Sequence, residues 1–151
     1  MKLFVTGKFK KVSCKEYEYA TNWMMNLLVS SQMKRHLTIN LILKKKKGLK
    51  GLTEFIDCEK KPREFKVIID PTLSRKSQLS TLAHELVHVK QFAKLELRGW
   101  TIGSKQKWKE DFIDHDEVSY WDFPWEIEAY GKEIGMYTRY KDHLKQNGIK
   151  F

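Results

Sequence analysis

Apolar residues recur at helical spacing in three stretches of this chain and crowd into strand-like runs in three others. The first helical stretch starts at Tyr17 and runs to about Met33, with Tyr19, Ala20, Trp23, Leu27 and Leu28 repeating every three or four positions. Ser13 followed by Glu16 has the spacing of a capping box at its start. Ahead of it, Lys2 to Val12 mixes apolar and basic residues around Gly7, which suggests a short strand or hairpin. Three strand candidates follow: Leu37–Leu43, Leu52–Cys58 and Glu64–Asp70. The turns between them, Lys44–Gly51 and Glu59–Arg63, are short and polar, so an antiparallel meander is expected.

Asp70-Pro71-Thr72 closes the third strand, and Ser74 or Ser77 can cap a second helix that continues to about Leu97, before Arg98-Gly99. Trp100 to Phe123 carries no clear period beyond one or two short strands, a long connection of the kind that often holds functional residues. Pro124 then opens a third helix, Trp125 to about Gln146, with Gly148 past its end. The expected class is α+β: an N-terminal helix, a small mostly antiparallel sheet, a central helix and a C-terminal helix.

The central helix carries His84-Glu85-Leu86-Val87-His88. Residues four apart on a helix lie one turn apart on the same face, so His84 and His88 can offer two imidazoles to one ion. Glu85 lies about 100° round the helix, close enough to reach a water beside that ion. Two neutral nitrogen donors with one carboxylate as general base is the H-E-x-x-H arrangement of zinc-dependent hydrolases. Neighbours as apolar as Leu82, Leu86, Val87 and Val89 argue against two ordinary surface histidines.

A catalytic zinc usually has three protein ligands, so one is still to be found. The downstream candidates are His115, Glu126, Glu128 and Glu133. On a helical wheel Glu126 falls on the apolar face with Tyr130, Ile134 and Tyr137, whereas Glu128 falls among Lys132, Gly135 and Arg139. A carboxylate on a buried face needs a partner, and a metal ion is one. Glu126 therefore ranks first. Glu133 shares its face, and His115 sits in the polar run Asp114-His115-Asp116; both stay open, as does Glu128. Tyr120, Tyr130 and Tyr137 are candidates for stabilising an oxyanion. Trp121, Phe123 and Trp125 read first as packing anchors and second as the lining of a cleft.

Size and charge add limits. At 151 residues the expectation is one domain spanning 1–151. No segment approaches the ~20 apolar residues of a membrane span, and Met1–Gly7 lacks the long apolar segment expected of a secretory leader. Cys14 and Cys58 are isolated, which reads as reduced thiols in a cytoplasmic protein, and a monomer is expected. The net charge of +10, densest at Lys44–Lys47, permits contact with nucleic acid or another polyanion.

The strings His84-Glu85-Leu86-Val87-His88-Val89-Lys90-Gln91 and Pro124-Trp125-Glu126-Ile127-Glu128-Ala129-Tyr130 together resemble the small SprT-like metallopeptidases, many of them phage-encoded. The resemblance covers about the second half of the chain. It implies a minimal zincin-like fold, a protein or peptide substrate, and the cytoplasm of a host as the compartment if the chain is phage-encoded. Glu126-Ile127-Glu128-Ala129 is also similar to the E-x-x-A helix of glutamate-type zincins, which implies Glu126 as third ligand. The chain departs from SprT-like proteases that use a third histidine and a cysteine zinc ribbon, having no ribbon and no histidine soon after His88. The leading expectation is a zinc metallopeptidase with His84, His88 and Glu126 as ligands and Glu85 as base. A basic nucleic-acid- or protein-binding module with a structural zinc site, and a non-peptide amide hydrolase, are the competing readings. Two histidines and a carboxylate suit zinc first and other divalent ions second.

Overall fold

A computed structural model describes the chain from Met1 to Phe151. Strand β1 (Lys2–Gly7) is followed by helix α1 (Cys14–Leu28), a short α2 (Ser31–Arg35), and strands β2 (Thr38–Leu43), β3 (Gly51–Phe55) and β4 (Glu64–Ile69). Helix α3 (Arg75–Ala93) carries the histidine motif. Strands β5 (Leu97–Ile102), β6 (Lys105–Trp108) and β7 (Asp111–Asp114), a 3₁₀ turn (Tyr120–Asp122) and helix α4 (Pro124–Gln146) complete the chain. The class is α+β.

The expected meander of the three central runs does not form. The larger sheet has the order β1-β2-β4-β3, with β1 and β4 both parallel to β2 and only β3 antiparallel, on the outside of β4. Burial explains why β4 takes the inner place. Its run Val67-Ile68-Ile69 is buried on consecutive positions, which needs cover on both faces. Strand β3, with Thr53 and Glu54, is half-buried throughout and tolerates an edge. Antiparallel pairing does dominate the second sheet, β5-β6-β7, which fills the connection that shows little period in the sequence.

The helices gather on one face of the larger sheet. Ile39, Leu41 and Leu43 of β2 stand opposite Phe65, Val67 and Ile69 of β4 and enter one core with Leu79, Leu82 and Leu86 of α3. Tyr17, Met24 and Met25 of α1 and Ala129, Met136 and Tyr140 of α4 close it. A second small cluster, Leu97, Trp108, Phe123 and Trp125, glues the β5–β7 sheet to the start of α4.

Local signals set the helix ends. Ser13 accepts the Glu16 N–H, and Ser74, rather than Ser77, caps α3 by accepting the Ser77 N–H. The first helix is shorter than its apolar pattern implies, because Val29 adopts extended backbone and Ser30 starts a new cap for α2. Helix α3 ends at Ala93, before Leu95 at φ 61°, which frees Leu97 to begin β5.

Candidate metal centre

Helix α3 runs through the middle of the molecule, with α1, α4 and the sheet around it, so its polar residues are buried with its apolar ones. Each buried polar group then needs a partner. His84, Glu85, Lys90 and Gln91 are all buried, and so is Glu126 from the first turn of α4.

His84, His88 and Glu126 come together as a group able to hold a metal ion. The two Nε2 atoms lie 3.1 Å apart. Glu126 Oε2 is 3.4 Å from His84 Nε2, and Glu126 Oε1 is 3.5 Å from His88 Nε2. Donors held about 2.0–2.2 Å from a tetrahedral ion stand roughly 3.3 Å from each other, so the spacing fits such an ion.

The surrounding hydrogen bonds orient both rings. His88 Nδ1 is 2.8 Å from Gln91 Oε1. Gln91 Nε2 donates to Trp125 O at 2.9 Å and to Glu128 Oε2 at 3.0 Å, which fixes the amide and leaves its oxygen towards His88. Nδ1 of His88 is therefore the protonated nitrogen, and its Nε2 presents a lone pair. His84 Nδ1 faces Glu133 Oε2 at 3.2 Å, so it too carries hydrogen on that side. Two nitrogen lone pairs and a carboxylate converge on one point. A metal ion or a proton can satisfy them there.

The ionisation of the group agrees. Burial pushes His88 below the ordinary histidine value, against the pull of Glu126. For His84 burial acts the same way, but Glu126, Glu85 and Glu133 outweigh it and raise the value. Burial would raise Glu126 as well; the hydrogen bond with His84, the His88 charge and the Tyr120 hydroxyl hold it below the usual carboxylate range. These shifts favour a neutral His88 and an ionised Glu126, and leave His84 the readier of the two histidines to take up a proton.

Glu85 lines the same cleft as His84 and is held from β3. Thr53 Oγ1 donates to Glu85 Oε2 at 2.8 Å and lies 3.0 Å from the Glu85 carbonyl. Burial, partly offset by Thr53 and His84, pushes its carboxyl up to about 7. Gly51 makes this packing possible, since a Cβ there would stand 2.5 Å from Glu85 Oε1 and 2.6 Å from Thr81 Cγ2. Tyr120 Oη donates to Glu126 Oε2 at 2.8 Å, and the Tyr130 ring packs edge-on against His84 at 4.5 Å.

The other candidate ligands lie elsewhere. Glu128 does not sit free on a polar face: it accepts from Lys90 Nζ at 2.7 Å and from Gln91, tying α4 to α3. Glu133 supports His84 from behind. His115, just past β7, is exposed, bonded to Gln106 and tilted against the Phe123 ring at 4.7 Å. Phe123 and Trp125 are buried anchors, whereas Trp121 is 67 % exposed. Tyr137 packs against the main core. Thr53, Gly51 and Gln91 are the functional contacts that the sequence reading passes over; only Gln91, one turn after His88 on the same helix, had a positional signal.

A cleft of about 560 Å³ reaches the group at His84, bounded by Gly48–Gly51, one face of α3 from Lys76 to Glu85, and Tyr120, Trp121, Tyr130, Glu133 and Ile134. Another depression beside β3 and Phe92 lies away from the histidines. No helix is long and apolar enough to cross a membrane. No family model, curated protein or solved structure matches the chain.

Proposed function

We propose that this chain is a zinc-dependent metallopeptidase that hydrolyses peptide bonds in the cleft over α3. The observation that carries the reading is the fixed orientation of the two imidazoles. Gln91 and Glu133 occupy their Nδ1 atoms, so both Nε2 lone pairs meet Glu126 at one point. His84, His88 and Glu126 would hold the ion. Bound zinc supplies a Lewis acid that lowers the pKa of water towards ~7 and polarises a carbonyl.

The chain's own residues do the rest. Glu85 has one oxygen held by Thr53, while the other, Oε1, accepts no hydrogen bond within the protein. With its carboxyl near 7, it can take a proton from the attacking water and return it to the leaving amine at neutral pH. Tyr120 keeps Glu126 oriented through its hydroxyl, which touches the donor group directly. The likeness of the two motif strings to SprT-like metallopeptidases points the same way.

The test is Glu85→Gln. The zinc content should stay at the wild-type level, and turnover of a generic unstructured substrate such as casein should fall by roughly 10²–10⁴-fold. Unchanged turnover would sink the assignment of Glu85.

A second reading has its own observation. The outer face of the β5–β7 sheet pairs Trp100 with Phe112 at 6.1 Å, sets Lys107 5.8 Å from the Phe112 ring, and places Ile102 opposite Lys105. Exposed aromatics beside lysines suit a nucleic-acid-binding module with a structural zinc. Such a module binds oligonucleotides in a salt-sensitive way and is indifferent to Glu85→Gln.

A further inference from the structure

The cleft has two unlike walls, and neither is explained by the metal group. On one rim stand Lys50 and Lys76, both exposed. Neither makes an ion pair, whereas Lys66, Lys90 and Lys107 each have a carboxylate partner. The preceding lysines add to the field at this end of the sheet: Lys45 and Lys46 help to hold Asp70 and Glu54 low, behind their hydrogen-bond partners. The opposite wall is apolar. Trp121 and Ile134 are 67 % and 63 % exposed, and the Trp121 ring lies 5.3 Å from Tyr130, which in turn packs on His84.

The acids of the cleft cannot serve a basic substrate residue. Glu133 is engaged with His84, and Glu85 is buried and bonded to Thr53. A lysine or arginine entering the cleft would meet Lys50 and Lys76 with no free carboxylate to answer it. An aspartate or glutamate would meet two unpaired ammonium groups.

We propose that this cleft selects acidic peptides, with an aspartate or glutamate received by Lys50 and Lys76 and a neighbouring large apolar side chain laid against Trp121 and Ile134. This rests on the metallopeptidase reading for the site but makes a separate claim about what enters it. The selectivity is electrostatic at the rim and hydrophobic at the wall.

Zinc-loaded Glu85→Gln protein is titrated, by fluorescence anisotropy, with fluorescein-labelled peptides of one length that combine leucine or phenylalanine with either glutamate or lysine. The glutamate peptide should bind roughly tenfold more tightly, as expected for two exposed ion pairs worth a few-fold each. Adding K50E/K76E should reverse the order. Adding K141E/K145E, at the far end of α4 and with the same net charge, should leave it unchanged. The Lys50 backbone carbonyl, which accepts from Asp70, is untouched by K50E, so folding is preserved.

Equal affinities, or a preference that survives K50E/K76E, would overturn the proposal. So would an oligothymidylate of equal charge that binds with the same dependence on the two lysines. Cleavage by the wild type is scored separately. Discrimination by Glu85→Gln without wild-type cleavage upholds the acidic selection and removes the peptidase reading; equally fast cleavage of the lysine peptide removes the selection and keeps the peptidase.

Discussion

Gln91 governs the ring of His88. Its Oε1 lies 2.8 Å from Nδ1, and its amide nitrogen is spent on the Trp125 carbonyl and on Glu128. One side chain thereby sets the tautomer of a candidate ligand and fastens the first turn of α4 to α3. In Gln91→Leu both functions go. Partners of this kind are worth about 10–100-fold in metal affinity, and a buried polar group left unpaired costs about 1–3 kcal/mol. Competition against a chromophoric chelator reads the first and thermal denaturation the second. An unaltered zinc affinity would mean that His88 is oriented by something else.

Metal content should separate ligands from supports. About one zinc per chain is expected after purification without a metal-binding tag. His84→Ala and Glu126→Ala should lose it, while Glu133→Gln should retain it at an affinity lower by about tenfold. Full retention in Glu126→Ala would move the third ligand to another carboxylate.

Protons compete for the same point. His84 is raised above its ordinary 6.5, so it charges on acidification before an isolated histidine would. Zinc affinity should therefore be full at high pH and fall as pH drops through the raised value of His84. Proton release on zinc binding, measured by calorimetry in buffers of different ionisation enthalpy, should be larger at pH 6 than at pH 8. No pH dependence across that window would show that His84 Nε2 is not a ligand.

A fourth expectation concerns Gly51. A Cβ here is directed at Glu85 Oε1 and Thr81. Gly51→Ala should leave zinc in place, since none of the three donors lies on β3, yet turnover should fall by up to ~10²-fold through displacement of the base. Loss of zinc instead would show that the strand supports the ligands as well.

Acid stability should depend on Asp70. Its carboxylate accepts from the Thr72 hydroxyl and backbone N–H at 2.7 and 2.8 Å, and these bonds hold it below the usual aspartate range. A depressed folded-state value gives stability that is present above the unfolded value, near 4, and is lost as pH falls through the folded one. Asp70→Asn should cost about 1 kcal/mol at pH 7 and progressively less below pH 4. A penalty independent of pH would assign the effect to shape and not to charge.

The gathering of His84, His88 and Glu126 was legible early because its logic is local or nearly so. His84 and His88 are one turn apart, and Glu126 is a glutamate among apolar neighbours on a capped helix. Even so, the wheel misjudges α4. Its buried side is centred on Ala129, Met136 and Tyr140, with Glu126 towards its edge, while Ile127 and Ile134 are 56 % and 63 % exposed. Ile134 faces the cleft, and hydrophobicity alone does not separate a core from a wall. The order of the strands was harder still. Short turns suggest neighbours, yet the seven residues between β2 and β3 carry the chain past the place that β4 later fills. Only the run Val67-Ile68-Ile69 hinted at an inner strand. The Thr53–Glu85 bond depends on that strand order, so it could not be seen in advance.

Two of the three donors belong to one helix, and the third arrives only after the whole β5–β7 sheet has been laid down. An ion held at this point would clasp the ends of that intervening segment together. The far end of α4 is moored separately, by Tyr140 and Leu144 in the main core. Chelation should then unfasten the molecule from the middle: amide exchange should quicken first around Tyr120–Tyr130 and the small sheet, while α1, the larger sheet and the last turns of α4 keep their protection.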